Sequence, residues 1–419
     1  MSSGFKKSLI ALSVSGMLAS SAAYATNGYF AHGYSTKEKG LAGAGVAYSQ
    51  DSLASATNPA GLVSVGARMD VGGALFNPNR QYTVTGNPSG NPPPVFPFSP
   101  GTYESSHDVF FIPHFGYTAK IDDNSVWGIA AYGNGGMNTD YENVPYTPNP
   151  ATSGTFAAGA AGVDLAQLFI NATYAKKIND EHSVGASLIF AYQMFKAHGL
   201  LAFSSYSSDP ANLSDRGDDT SSGFGAKFGW QGKVAPAVTL GASYQTKMSM
   251  SEFDKYRGLF AEQGDFDIPA TLILGGAWDI DDTSKLLLDV QTIYYSDVNS
   301  IANPISNLNP GGNLLGTDNG GGFGWDDMTV IKLGYQWMMD DMTMRVGVSH
   351  GNQPIPSSEV VFNILAPAVV ETHITFGLTM PLSDNTEFSF AAMYAPTGDV
   401  SGANSFEVPN QQTVKLEMD

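Results

Sequence analysis

The residues that could do chemistry are scattered along the chain. The histidines are His32, His107, His114, His182, His198, His350 and His373, and none falls in a recognisable Ser or Asp constellation. A nucleophile needs a base and an orienting acid within hydrogen-bond reach, and no stretch of the sequence declares such a set. Without cysteine, neither a thiolate metal site nor a disulfide scaffold is available. The stretch DNGGGFGWDD at 318–327 could hold a cation through its carboxylates, or be a solvated acidic loop. What remains is binding. Lys332 and Arg345 could hold a carboxylate by charge-assisted bonds, or pair with acids such as Asp289, Glu371 or Glu387. Tyr29 and Phe30, and Phe253, Tyr256, Leu259 and Phe260 in EFDKYRGLF, could line apolar sites or only pack a loop. The spacing of three and four in the second group predicts a short amphipathic helix. The expectation is a protein that binds without a cofactor and is not an enzyme.

The elements that must position these residues are strands. Hydrophobic residues make up 42% of the chain and charged residues 14%, well under the usual quarter. Low charge suits a membrane protein, yet no segment after the N-terminus approaches the run of about 18 apolar residues that a membrane helix needs. A closed barrel resolves this, because its strands alternate lipid-facing apolar and lumen-facing polar residues. The alternation is explicit. Ile331, Leu333, Tyr335 and Trp337 interleave with Lys332, Gly334 and Gln336, and Phe224, Ala226, Phe228 and Trp230 with Gly225, Lys227 and Gly229. A soluble sandwich would carry Lys and Glu on its outer face, where this chain has Gly, Ser, Gln and Thr opposite the apolar set. Tight turns near 122–124, 179–180, 235–236, 281–282, 340–341 and 383–385 alternate with long Gly/Pro/Asn-rich loops. Six turns and seven loops predict an all-β, antiparallel transmembrane β-barrel of about 14 strands, an even number as bacterial barrels require.

The two ends carry further expectations. Lys6 and Lys7 precede an apolar run and an Ala23-Tyr24-Ala25 site, so residues 1–25 read as a signal peptide. Residues 26–62 then precede the first strand and contain GLAGAGVAYSQDSLASATNPAGL at 40–62; composition allows either a plug inside the lumen or a periplasmic tail. Residues 63–419 form the barrel, with a last strand, QTVKLEMD, that looks truncated against the roughly 9 to 11 residues of a span. A net charge of −19 and a pI near 4.5 argue against nucleic acid as a partner.

The series Gly40, Gly43, Gly45, Asp51 and Asn58-Pro59-Ala60-Gly61-Leu62 resembles the N-terminal hatch of the FadL/TodX family of outer-membrane transporters for hydrophobic compounds. GIAAYGNGGMNTDY at 128–141 and GVDLAQLFINATYAKKI at 162–178 are similar to that family's third strand and the entry to its fourth, and NGYFAHGYSTKEKGLAGAG at 27–45 to a subgroup. The resemblance implies a monomeric channel in the outer membrane of a Gram-negative bacterium, in contact with lipid and lipopolysaccharide. It implies hatch residues Asn58, Pro59 and Ala60, capture by extracellular loops, and passive sideways exit at an inward kink of the third strand. Gly133, Gly135 and Gly136 suit such a kink, or simply begin the next loop. Long-chain fatty acids are the expected cargo, with aromatic or alkane hydrocarbons as the alternative, and a polar-solute porin behind both.

Overall fold

The computed structural model describes residues 26–89, 96–142, 144–149, 152–308, 312–407 and 411–419. The signal-peptide reading of residues 1–25 lies outside them.

The strands are β1 (Arg68–Phe76 and Arg80–Thr85), β2 (Gly101–Glu104 and Phe110–Lys120), β3 (Ser125–Tyr141), β4 (Ala161–Lys177) and β5 (His182–His198). They continue as β6 (Asp219–Ala235), β7 (Val238–Gln245), β8 (Thr271–Asp279), β9 (Ser284–Ile293), β10 (Met328–Met339) and β11 (Met342–Gly351). The last are β12 (Thr372–Ser383), β13 (Thr386–Tyr394 and Gly398–Ala403) and β14 (Thr413–Met418). Each pairs antiparallel with the next, and β14 pairs with β13 on one side and with Arg80–Thr85 of β1 on the other, which closes the ring of 14 strands. Closure matters because an open edge in hydrocarbon would leave backbone groups without partners. β14 spans only the outer half. The inner halves of β1 and β13 are joined instead by a side-chain contact, Arg68 Nη2 to Glu387 Oε1 at 2.7 Å.

Period two decides which face each residue takes. Leu240, Tyr244, Leu274, Leu288, Val290, Ile331, Leu333, Val346, Val348, Ile374 and Phe376 stand exposed on the outer wall. Their strand neighbours Ser243, Asp289, Lys332, Ser349, His373 and Thr375 are buried in the lumen. The interior is filled from residue 26 onward by the N-terminal segment, in which Leu41, Ala42, Ala44, Val46, Leu53 and Ala60 are fully buried. The long loops form an apolar layer over one end of the barrel, around Phe195, Phe203, Tyr256, Tyr295, Trp325 and Val361.

Candidate functional site: the hatch seat and an opening in the wall

The hatch folds as three one-turn helices, Thr36–Lys39, Ala54–Thr57 and Leu62–Val65, with a 3-10 turn at Pro59–Gly61. Ser35 caps the first by accepting from the Glu38 amide at 3.2 Å. In the Asn-Pro-Ala motif, proline supplies its fixed φ at the start of the turn, and Asn58 Oδ1 accepts from the Ala60 amide at 3.1 Å. Asn58 Nδ2 donates to the carbonyls of Val46 at 2.6 Å and Trp230 at 3.0 Å, tying two hatch segments to the wall. The wall receives this motif at glycines: a Cβ on Gly185 would lie 2.5 Å from the Pro59 carbonyl carbon, and one on Gly229 2.0 Å from Asn58 Oδ1.

Lumenal charges complete the seat. Asp289 accepts from the amides of Gly45 at 2.8 Å and Val46 at 2.9 Å. Lys227 donates to the Ala56 carbonyl. Arg345 reaches Gln50, Gln336 and Thr379 at 2.8, 2.9 and 2.7 Å, and Lys332 reaches the Gly43 carbonyl at 3.4 Å. Both cations therefore point inward as strand parity predicts, but they hold hatch and wall together, and neither lines the main cavity. Of the expected acid partners, Asp289 is bonded to hatch amides, Glu387 pairs with Lys37 and Arg68, and Glu371 is exposed and accepts from the Gln353 amide at 3.4 Å. His32, Ser349 and His373 form a buried chain across the same interface, with Nε2 to Oγ at 2.6 Å and Oγ to Nδ1 at 3.2 Å.

Strand β3 is broken at the expected glycines. Against β4, Gly133 pairs with Leu168 and Gly135 with Gln167, so Asn134 is an extra residue. A bulge of one residue reverses the faces beyond it. Ala130, Tyr132 and Asn134 are buried on one parity, and Met137, Thr139 and Tyr141 on the other. Asn134 is held by Tyr34 Oη, which donates to its Oδ1 at 3.1 Å, and donates from Nδ2 to Gln167 Oε1 at 2.9 Å.

The bulge parts β3 from β2. Their ladder stops at His114 opposite Tyr132. Contact resumes where the Ser106 amide donates to the Asp140 carbonyl at 2.8 Å and the Asp140 amide to Ser105 Oγ at 3.0 Å. Between these points the free edge of β3 is taken by the first described residues of the hatch segment. Phe30 pairs with Gly135, and the Gly136 amide donates to the Tyr29 carbonyl at 3.0 Å. No side chain fits there, because a Cβ on Gly135 would lie 1.7 Å from the Tyr29 oxygen.

A cavity of about 440 Å³ occupies the gap. Ala31, His32, Tyr34 and Lys39 line it from the hatch, and Ala74, Phe76, Phe110, Ile112 and His114 from β1 and β2. Leu168 and Met194 also line it, although they face lipid and are 41% and 44% exposed. The cavity thus joins the lumen to the outer surface of the wall. Two cations border it. Lys39 donates to the Gly33 carbonyl. Arg80 donates to the carbonyls of Asn138 and His107, and its Cζ lies 5.6 Å from the Phe110 ring. Among the described residues neither has a carboxylate within 4.0 Å.

The aromatic candidates lie elsewhere. Tyr29 and Phe30 are buried but do not line this cavity; Tyr29 packs against Phe266, Tyr295 and Trp325 with ring centroids 6.1, 5.4 and 6.0 Å away. Phe253, Tyr256 and Phe260 surround Phe195 at 5.6, 4.8 and 4.7 Å. Leu259 and Phe260 line a second, small cavity of about 40 Å³ with Leu200, Phe203 and Phe362. The expected amphipathic helix is corrected: one 3-10 turn, Asp254–Tyr256, is followed by a four-residue helical turn in which Glu262 and Gln263 have positive φ. The segment is held by aromatic contacts and by Tyr256 Oη, which donates to the Gly217 carbonyl at 2.7 Å, so it does not need a helix to bury its rings. Sequence alone does not single out His32, Tyr34, Lys39, Phe76, Arg80, Phe110 and His114 for the cavity. They come from three distant segments, and only the sideways break of β3 brings them together.

Comparison with known proteins places this geometry. The toluene transporter TodX of Pseudomonas putida is 17% identical, with 92% of this chain and 96% of that one covered and a TM-score of 0.63. A FadL homologue of Pseudomonas aeruginosa is 15% identical over 93% and 98%, with a TM-score of 0.64. The toluene transporter TbuX of Ralstonia pickettii is 16% identical over 92% and 97%, with a TM-score of 0.58. At these identities the likeness shows a shared fold, and no curated protein matches the sequence. The family model for outer membrane protein transport proteins (OMPP1/FadL/TodX) matches residues 16–417, so the chain belongs to that family of outer-membrane transporters of hydrophobic compounds.

Proposed function

We propose that the protein takes up hydrophobic compounds, long-chain fatty acids foremost, without energy input. The loops capture the solute, the hatch holds it, and the solute leaves sideways through the gap between β2 and β3. The observation that carries this reading is the cavity that runs from hatch residues to lipid-facing Leu168 and Met194. Burial of apolar surface is worth about 25 cal/mol per Å², so an acyl chain gains by entering the cavity and keeps that gain on passing into lipid. No bond has to form or break. The Asn58 motif is read as the hatch anchor, Gly133, Gly135 and Gly136 as the exit, and residues 1–25 as the export signal. The chain acts as a monomer whose outer face meets lipid and lipopolysaccharide.

Fatty acids are favoured over hydrocarbons because Lys39 and Arg80 border the cavity as cations with no carboxylate within 4.0 Å among the described residues. A carboxylate would meet either in an apolar setting where charge-assisted bonds are strong. The second reading is uptake of small aromatics, favoured by Phe76, Phe110 and Tyr132 in the lining. Uptake of oleate and of toluene should be measured in cells that lack other hydrophobic-compound channels and express this chain. Lys39→Met is expected to cut oleate uptake about tenfold, the worth of one charge-assisted bond, and leave toluene unchanged. Loss of toluene uptake alone would favour the aromatic reading, and no uptake of either compound by the unaltered protein would refute transport.

A further inference from the structure

Arg80 stands where the wall opening ends on its outer side. It belongs to β1, yet its guanidinium crosses to the Asn138 carbonyl on β3 and to the His107 carbonyl beside β2. Those are the two strands that separate at the bulge, so one side chain spans the gap just inside the Ser105, Ser106 and Asp140 contacts. The side chain is buried, with 5% of its surface exposed. Of its three nitrogens, Nε alone is buried without an acceptor. A buried donor left unmade costs about 1–3 kcal/mol, more when the group is charged. Arg80 lines the cavity between Phe76 and Phe110. The carboxylates that act on it, Asp108 and Asp164, lie beyond 4.0 Å, and Asp164 is met by Lys196 at 3.5 Å.

A guanidinium on two neutral carbonyls, with a third donor idle, is a strained use of a group whose fork matches a carboxylate. We propose that Arg80 is the specificity-determining latch of the wall opening. A carboxylate headgroup takes its Nε–H and one Nη–H as a bidentate pair, a carbonyl of His107 or Asn138 is released, and the edges of β2 and β3 move apart as the acyl tail leaves. This rests on the sideways-exit reading and adds a headgroup requirement at the exit, separate from Lys39 on the hatch. A neutral headgroup such as a hydroxyl offers a single uncharged acceptor, without the charge and two-oxygen fork that displace the carbonyls, and draws far less from Arg80.

The test compares oleate with oleyl alcohol, which share a tail and differ in the headgroup. Arg80→Gln and Arg80→Lys are expressed in cells without other hydrophobic-compound channels, with folding checked by heat-modifiable migration on gels. Arg80→Gln should lower oleate uptake about tenfold, the loss of a charge-assisted pair, with oleyl alcohol within about twofold. Arg80→Lys, a point charge without the fork, should fall between. Equal loss for both ligands in Arg80→Gln would make Arg80 only a staple of the wall and overturn the proposal, as would unchanged oleate uptake. In either case uptake by the unaltered protein still supports the transport reading. If the unaltered protein carries neither ligand, both fail.

Discussion

The hatch seat and the wall opening are built by opposite means. At the seat, hatch backbone approaches the wall across glycines, and polar groups such as Asn58, Asp289 and Arg345 bond hatch to wall. At the opening, two strands lack each other, the lining is mostly apolar with Asp164 its one acid, and among the described residues the cations Lys39 and Arg80 have no carboxylate within 4.0 Å. A buried polar interface is costly to disturb, since any shift strands further donors and acceptors. An apolar cavity can empty and fill at little cost. The contrast teaches that the hatch is the more firmly bonded of the two, and on the proposed reading the strand break is the working part.

The largest effect should follow from damage to the seat. Gly229→Val brings a side chain against Asn58 Oδ1, because a Cβ at this position would stand only 2.0 Å from that oxygen. It should dislodge the hatch and convert a silent channel into one with large steady current in planar bilayers. A silent Gly229→Val channel would show that the hatch does not depend on that contact. A smaller effect is expected at the opening's inner seal. Gly135→Ala meets the Tyr29 carbonyl and should detach the N-terminal strand from β3, seen as faster hydrogen exchange at residues 26–34, while bilayer current stays low. Equal exchange in both proteins would contradict the pairing of Phe30 with Gly135.

The smallest effect lies in the loop layer, which neither region includes. Burial first, and the Asp267 carboxylate second, push Asp265 up to about 7. A carboxyl with a raised folded pKa favours the protonated form, so the stability it lends is present at low pH. It is lost as pH rises from the ordinary carboxylate range through about 7. Proteolysis of the 251–270 loop should therefore be faster at pH 8 than at pH 5, and Asp265→Asn should flatten the difference. A pH dependence that persists in Asp265→Asn would place the titrating group elsewhere.

Much of the fold is legible in the sequence because a barrel writes itself as period two. Parity with their neighbours is enough to point Lys332 and Arg345 inward, and they are buried in the lumen. Short turns and long loops yield the strand count without any contact information. The partners of those cations are not legible, since the hatch carbonyl and Gln50 that meet them lie some 290 residues away in sequence. Nor is the cavity. β1 is interrupted between Phe76 and Arg80 and β2 between Glu104 and Phe110, so Arg80 and Phe110 sit at strand ends where alternation carries little signal. The glycines at 133–136 mark a break, but only the pairing of Gly133 and Gly135 with successive residues of β4 shows that it turns the strand's faces over.

The central claim is that cargo leaves through the gap beside the bulge, and Ala166 offers the cleanest way to close it. Its side chain faces lipid and borders the cavity, so a bulky apolar residue there should block the outer mouth without touching hatch or lumen. Ala166→Trp should abolish most oleate uptake while barrel folding and the low bilayer current are unchanged. Oleate uptake at the unaltered rate in a folded Ala166→Trp protein would contradict sideways exit.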